Sequence, residues 1–226
     1  MKHFAVIVAG GSGSRMGAGI PKQFRTLCGR PVLWWSMKAF KKENPDTELI
    51  IVLPEEFIAL WEDFYSTLPE SDRFPYQTAA GGKTRGESVS AGLSLINDED
   101  SMVAVHDGAR PLVTPEIISS GWVTAEKYGC CVPVIPVTDS LRKIEGNENK
   151  SVDRSAFVAV QTPQIFKTSI LKKAYKNAGD KVFTDDASAV ENIGESVALY
   201  EGSPDNIKIT NPKDLAIASI IMSKDA

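Results

Sequence analysis

The chain has 226 residues, 42% of them hydrophobic, with 25 Lys and Arg against 29 Asp and Glu and a formal net charge of −4. That length and apolar content suffice for one large α/β domain, and the near balance of charge excludes a field able to hold a nucleic-acid backbone non-specifically. Cys28, Cys130 and Cys131 form neither a disulfide framework nor a metal-ligand spacing, and with only His3 and His106 present, zinc catalysis and a Ser-His-Asp triad are poor fits. No apolar run reaches bilayer-spanning length, and the chain leads directly into an apolar stretch instead of a basic segment and a cleavage site, so a cytoplasmic, membrane-free protein is expected.

In chain order, residues 4–9 (FAVIVA) predict a buried parallel strand that empties into a loop carrying Gly10, Gly11, Gly13, Gly17 and Gly19, punctuated by Arg15 and Lys22. Backbone without Cβ atoms can approach a polyphosphate closely and converge its N–H groups on the oxygens. The dinucleotide fingerprint fails because Met16 stands where its third Gly belongs, and the P-loop fails because Lys22 lies between Pro21 and Gln23 with no hydroxyl after it. A turn whose glycines serve only tight geometry is the plain alternative. Arg15 and Lys22 weigh against it, because cations spaced along such a loop can meet charge developing on a phosphorus under attack. Phosphoryl or nucleotidyl transfer is the chemistry these residues point to.

Further strands are predicted at 48–53, 76–80, 102–106 and 130–137, and helices at 31–41, 87–96 and 115–128. Strand followed by helix, repeated, predicts a Rossmann-like α/β fold: a mostly parallel sheet with helices on both faces and ligands beyond the carboxyl ends of the strands. The alternation breaks at 138–160. There a Gly-Asn-rich turn between 141–144 and 157–160 predicts an antiparallel hairpin, too small to be stable alone and so expected to pack on something, a second subunit included. A variable surface insertion is the alternative. A helix from Thr168, the acidic turn Thr184-Asp185-Asp186, a strand near 197–200, a short strand at 206–210 and a terminal helix from Pro212 complete the expectation.

Six segments at strand ends form an ordered set: GGSGSRMG with PKQF, GGKTRGESV (81–89), HDGARP (106–111), QTPQ (161–164), TDDAS (184–188) and NIKIT (206–210). Together they resemble the 2-C-methyl-D-erythritol 4-phosphate cytidylyltransferases of the non-mevalonate isoprenoid pathway, across essentially the whole chain. The resemblance implies a single cytidylyltransferase domain over 1–226, with an arm at about 138–160, that joins CTP to a phosphorylated polyol with Mg²⁺ and releases pyrophosphate. It implies Arg15 and Lys22 as the pair that stabilises the transition state. It implies a CTP site at Ala9, Gly10, Gly11, Gly13, Gly81, Gly82, Ser88, Asp107, Gly108 and Arg110, with Asp107 also the candidate metal ligand. For the acceptor phosphate it implies Arg154, Lys208, Thr184 and Ser140, Arg154 reaching a neighbouring subunit of a homodimer. Residue chemistry agrees with a site poor in histidine, since a phosphate monoester is largely dianionic at neutral pH and needs no general base to attack.

The plain readings of these residues stay open at this point: Ser88 as a helix cap, Arg85 as a structural or solvated cation, Asp107 as a turn residue before Gly108. The loop beginning Val8-Ala9-Gly10-Gly11 is also similar to that of ribitol-5-phosphate cytidylyltransferases, and Ser140 stands where Thr is common, so a pentitol phosphate is the alternative acceptor. Two different activities compete with cytidylyl transfer: noncatalytic nucleotide binding, and guanylyl transfer to a molybdopterin. The first has little need of Arg15 and Lys22 aimed at the α-phosphorus, and the second leaves HDGARP and NIKIT unexplained.

Overall fold

The chain alternates strand and helix from its first residues, and a computed structural model describes residues 1–10, 21–179 and 181–224. Strands β1 (His3–Val8), β2 (Thr26–Leu27), β3 (Arg30–Pro31), β4 (Glu48–Leu53), β5 (Tyr76–Ala80), β6 (Met102–Asp107) and β7 (Cys130–Pro136) are followed by β8 (Leu141–Glu145), β9 (Glu148–Val152), β10 (Val158–Val160), β11 (Gln164–Lys167) and β12 (Ala198–Glu201). The helices are α1 (Val32–Glu43), α2 (Glu55–Ser66), α3 (Arg85–Ser94), α4 (Pro115–Tyr128), α5 (Thr168–Lys176), α6 (Asp186–Glu191) and α7 (Pro212–Lys224).

The main sheet runs β10-β7-β11-β6-β1-β4-β5, with β12 paired in parallel to β7. β1 pairs in parallel with β4 and β6, and β4 with β5. β11 is antiparallel to both β6 and β7, and β10 is antiparallel to β7. Alternation along the central strands sorts side chains to two faces. Ala5, Ile7, Leu49 and Ile51 pack with Leu33, Met37 and Phe40 of α1, Trp61 of α2 and Ile118 and Trp122 of α4. Phe4, Val6, Ile50 and Val52 pack on the other face with Val89 and Leu93 of α3, Leu171 of α5 and Val190 of α6. Each such fully buried aliphatic or aromatic side chain contributes about 1.5–3 kcal/mol. The mostly parallel sheet covered on both faces is thus borne out.

Two elements differ from expectation. The hairpin at 141–144 does not close on 157–160: β8 pairs with β9 across Gly146 and Asn147, with Glu145 opposite Glu148. Gly146 has φ 62°, the positive value a two-residue hairpin turn demands, so the ladder forms at once with the nearest segment. The more distant piece, β10, instead extends the main sheet, with Ala159 opposite Ile135. Residues 206–210 are not a strand either. Of their backbone groups, the Ile209 N–H reaches the Ala109 carbonyl at 2.8 Å, while the Asn206 and Ile209 carbonyls accept from the side chains of Arg110 and Lys22. Side chains have taken the place of a ladder partner. Beyond these corrections, β2, β3, α2, β9, β11 and α6 are not among the elements expected from the sequence.

Candidate active site

Three loops leave the sheet at one edge, each held by a bond that continues the parallel pairing past its strand. The Ala9 N–H donates to the Val52 carbonyl at 2.8 Å, Gly81 to Leu53 at 2.7 Å and Gly108 to Val8 at 2.9 Å. Between them opens a cleft of about 400 Å³ whose lining includes Gly10, Lys22, Gly82, Arg85, Asp107 and Lys208.

The Gly-Gly loop is shaped by the helix that follows it. Thr84 caps α3 and forms a capping box with Glu87, whose carboxylate reaches back to the N–H groups of Lys83 at 2.5 Å and Thr84 at 3.3 Å. A Cβ at Gly82 would stand 2.3 Å from the Glu87 Cβ, so only glycine permits this tight return. Ser88 is inside the helix and is not its cap. Its Oγ accepts from the Gly82 N–H at 3.2 Å and donates to the Thr84 carbonyl at 3.0 Å, which locks the loop to the helix.

Asp107, at the end of β6, is the electrostatic centre. Lys208 Nζ lies 2.8 Å from Oδ2, Arg110 Nε 3.8 Å from Oδ2, and Arg85 Nε 3.7 Å from Oδ1. Burial alone would raise the carboxyl pKa, but Lys208, Arg85 and Arg110 outweigh it and bring it down to about 2. Asp107 is therefore an anion across the working range. With Lys22, Lys83, Arg85 and Lys208 in the same lining as this carboxylate, the described cleft keeps an excess of positive charge and suits an anionic ligand.

A neutral histidine fixes Asp107 from behind. The Asp107 N–H donates to Thr162 Oγ1 at 3.0 Å, whose hydroxyl donates to His106 Nδ1 at 3.1 Å, leaving Nε2–H to donate to the Arg110 carbonyl at 3.1 Å. The bonds thus assign the tautomer. Burial lowers the His106 pKa from 6.5 to about 4. Because the unfolded chain binds this proton in that window and the folded one does not, stability is full above about 6.5 and falls as pH drops toward 4. The expected loss is about 3 kcal/mol. Urea unfolding at pH 7 and pH 4.5 checks it, and in His106→Gln the pH dependence should flatten by roughly one proton.

The structure brings Gly10, Lys22, Gly82, Ser88, Asp107 and Lys208 to one cleft, and Gly81 to the hollow beside it, under α2. Ala9, Gly108 and Arg110 stand just behind the lining, Arg110 donating to the Asn206 carbonyl at 2.7 Å. Thr184 caps no helix and sits 3.5 Å from the Ser188 hydroxyl. Ser140 and Arg154 belong to the arm, where Arg154 bonds the Thr138 carbonyl, and neither is among the described residues of the cleft. Gly11, Gly13 and Arg15 lie outside the described residues. Lys83 and Thr84 were missed as lining residues, although the T-x-x-E capping box that places them is legible in the sequence.

An anion-receptive cleft at the carboxyl edge of a doubly wound sheet, walled by glycine loops and cations, belongs to an enzyme of the nucleotidyltransferase class. The family model for 2-C-methyl-D-erythritol 4-phosphate cytidylyltransferase matches residues 3–224. Proteins of that name from Bacteroides thetaiotaomicron and Bacillus velezensis are each 42% identical, over 98% and 100% of this chain and 100% and 98% of their own lengths. A crystal structure of the Thermus thermophilus protein of the same name is 33% identical, with a TM-score of 0.77 over 96% of this chain and 98% of its own. The Anaerococcus prevotii 4-diphosphocytidyl-2C-methyl-D-erythritol synthase, 23% identical, shares the fold with a TM-score of 0.84 over 98% of both chains. The chain belongs to the 2-C-methyl-D-erythritol 4-phosphate cytidylyltransferase family, and its function is the family's cytidylyl transfer in isoprenoid biosynthesis.

Proposed function

We propose that this cleft carries the cytidylyl group of CTP to the phosphate of 2-C-methyl-D-erythritol 4-phosphate, giving the 4-diphosphocytidyl alcohol and pyrophosphate. The observation that carries this reading is a cleft at a backbone-lined edge whose described lining joins Lys22, Lys83, Arg85 and Lys208 with one ionised carboxylate, Asp107. An acceptor phosphate oxygen attacks the α-phosphorus and the bond to pyrophosphate breaks; no proton has to move, so the neutral, buried His106 is no obstacle. What the protein supplies is in-line positioning and neutralisation of charge at the reacting phosphorus. We assign charge stabilisation at the α-phosphate to Arg15 and Lys22, nucleotide binding to Gly10, Gly81 and Gly82, and the acceptor phosphate to Lys208 with Thr184.

Asp107 suits a Mg²⁺ ion held mostly by substrate oxygens. It offers an ionised carboxylate oxygen, which a hard cation prefers, while no cluster of three or more acidic, His or Cys side chains stands among the described residues. The ion would offset negative charge on the triphosphate. We further assign Arg154 and Ser140 to the site of a neighbouring copy in a homodimer. Exposed Ile144, Phe157, Val158 and Val160 on and beside the arm support that assembly. A cytoplasmic setting fits the reaction; no described helix is long and apolar enough to cross a membrane.

Pyrophosphate release with CTP and Mg²⁺, run in parallel with methylerythritol 4-phosphate, ribitol 5-phosphate and no acceptor, tests the reading. Release only with the first is expected, and preference for the second would replace the acceptor. Arg154→Ala should raise the acceptor KM by roughly 10–100-fold, the worth of a charge-assisted phosphate contact, with CTP affinity unchanged. Equal losses for both ligands would remove Arg154 from the acceptor site.

A further inference from the structure

Arg85 faces the cleft on one side and a buried polar network on the other. Its Nη2 donates to Asp186 Oδ2 at 2.7 Å, while its Nε lies 3.7 Å from Asp107 Oδ1. Asp186 is fully buried. Its second oxygen accepts from the Tyr175 hydroxyl at 2.6 Å, and its backbone N–H donates to Gln164 Oε1 at 3.0 Å. The same Gln164 side chain holds Asp185 Oδ2 through Nε2 at 3.0 Å. The Tyr175 ring is packed against the first turn of α3, where a Cβ at Gly86 would stand 3.2 Å from it.

A buried carboxylate with a single cationic partner is costly unless the pair and its remaining oxygens are satisfied, and here both oxygens are. The network therefore has one definite geometry, and it joins two segments that the reaction uses differently. Arg85 opens the helix behind the Gly-Gly loop, on the nucleotide side. Asp186 follows Thr184 on the acceptor side.

We propose that Asp186 and Tyr175 are positioning residues which, through Arg85, set the distance between Asp107 and Lys208 and tie the acceptor segment to the nucleotide loop. The inference rests on the cytidylyltransferase reading above and extends it. With the Asp186 charge removed by substitution, Asp107 is the carboxylate left within salt-bridge distance of the Arg85 guanidinium among the described residues, and Arg85 competes with Lys208 for it. The acceptor cation is then displaced, while the glycine backbone that receives the triphosphate stays in place.

The test begins with wild-type turnover on CTP and methylerythritol 4-phosphate; turnover upholds the reading on which the inference rests, and its absence overturns both. Asp186→Asn keeps the size and the Tyr175 contact. It should lower kcat and raise the acceptor KM by roughly tenfold or more, with CTP affinity changed by no more than about threefold. In a double-mutant cycle with Arg85→Gln the losses should be strongly non-additive, which a general weakening of the fold would not produce. Should Asp186→Asn fail to fold, Tyr175→Phe, which deletes only the hydroxyl on Asp186, decides: a severalfold loss in kcat with the melting temperature held supports the inference. Wild-type kinetics in a folded Asp186→Asn or Tyr175→Phe, or additive losses in the cycle, would overturn it and leave the substrate reading standing.

Discussion

Lys22→Ala is expected to lower kcat by roughly 10²–10³-fold, about 3 kcal/mol of barrier, the effect of deleting one preorganised donor to a developing oxyanion. Lys22 opens the 3-10 turn Lys22–Phe24 immediately after Pro21, and only 8% of it is exposed. Its Nζ donates to the Ile209 carbonyl at 2.9 Å, so the ammonium is directed by the backbone next to Lys208 and needs no reorganisation when charge builds up. A charge preorganised in this way acts on the transition state more than on bound CTP. Single-turnover rates and CTP affinity measured separately check the assignment. A raised CTP KM with kcat intact would make Lys22 a ground-state binding residue.

Asp107→Asn should be nearly as damaging, by a different route. The substitution keeps size and the Thr162 contact to the backbone but strips the charge that Lys208, Arg85 and Arg110 surround. Leaving cations uncompensated in a largely buried position costs on the order of 3 kcal/mol, moderated here because 13% of the Asp107 side chain meets solvent. The variant should melt lower, turn over poorly and depend less on Mg²⁺. It should also be stabilised by added CTP more than the wild type is, because the ligand's phosphates then supply the missing negative charge. Thermal melts with and without CTP decide this. An unchanged melting temperature, or a smaller ligand-induced rise than in the wild type, would contradict the account of the cluster.

The legibility of this protein was uneven for reasons that particular residues make plain. β1, β4 and β6 announce themselves as unbroken apolar runs because they are buried on both faces, and α4 carries a Thr114 cap, Pro115 in its first turn and Gly129 at its end. The arm misled because two β-like pieces competed for one partner, and closeness in sequence favoured β9 over β10. Residues 206–210 have strand-like alternation, and Lys208 does project into the cleft. No described strand pairs with them, however, and the guanidinium of Arg110 and the ammonium of Lys22 occupy the carbonyls of Asn206 and Ile209 instead.

Local chemistry was enough to determine the class of reaction and the alternating strand-helix plan. Glycines that admit phosphate, cations spaced among them and a near absence of histidine are properties of short segments, readable without knowing where the chain goes next. Which charges meet was decided by the tertiary structure alone. Arg85 and Asp186 are 101 residues apart, and Lys22 and Ile209 are 187 apart. Parallel pairing of β1, β4, β5 and β6 delivers the strand ends and loops that carry Lys22, Arg85 and Asp107 to one edge of the sheet, and the segments after α5 and β12 bring Asp186 and Ile209 to meet them. That convergence is a consequence of non-local strand order, and no single segment of the chain contains it.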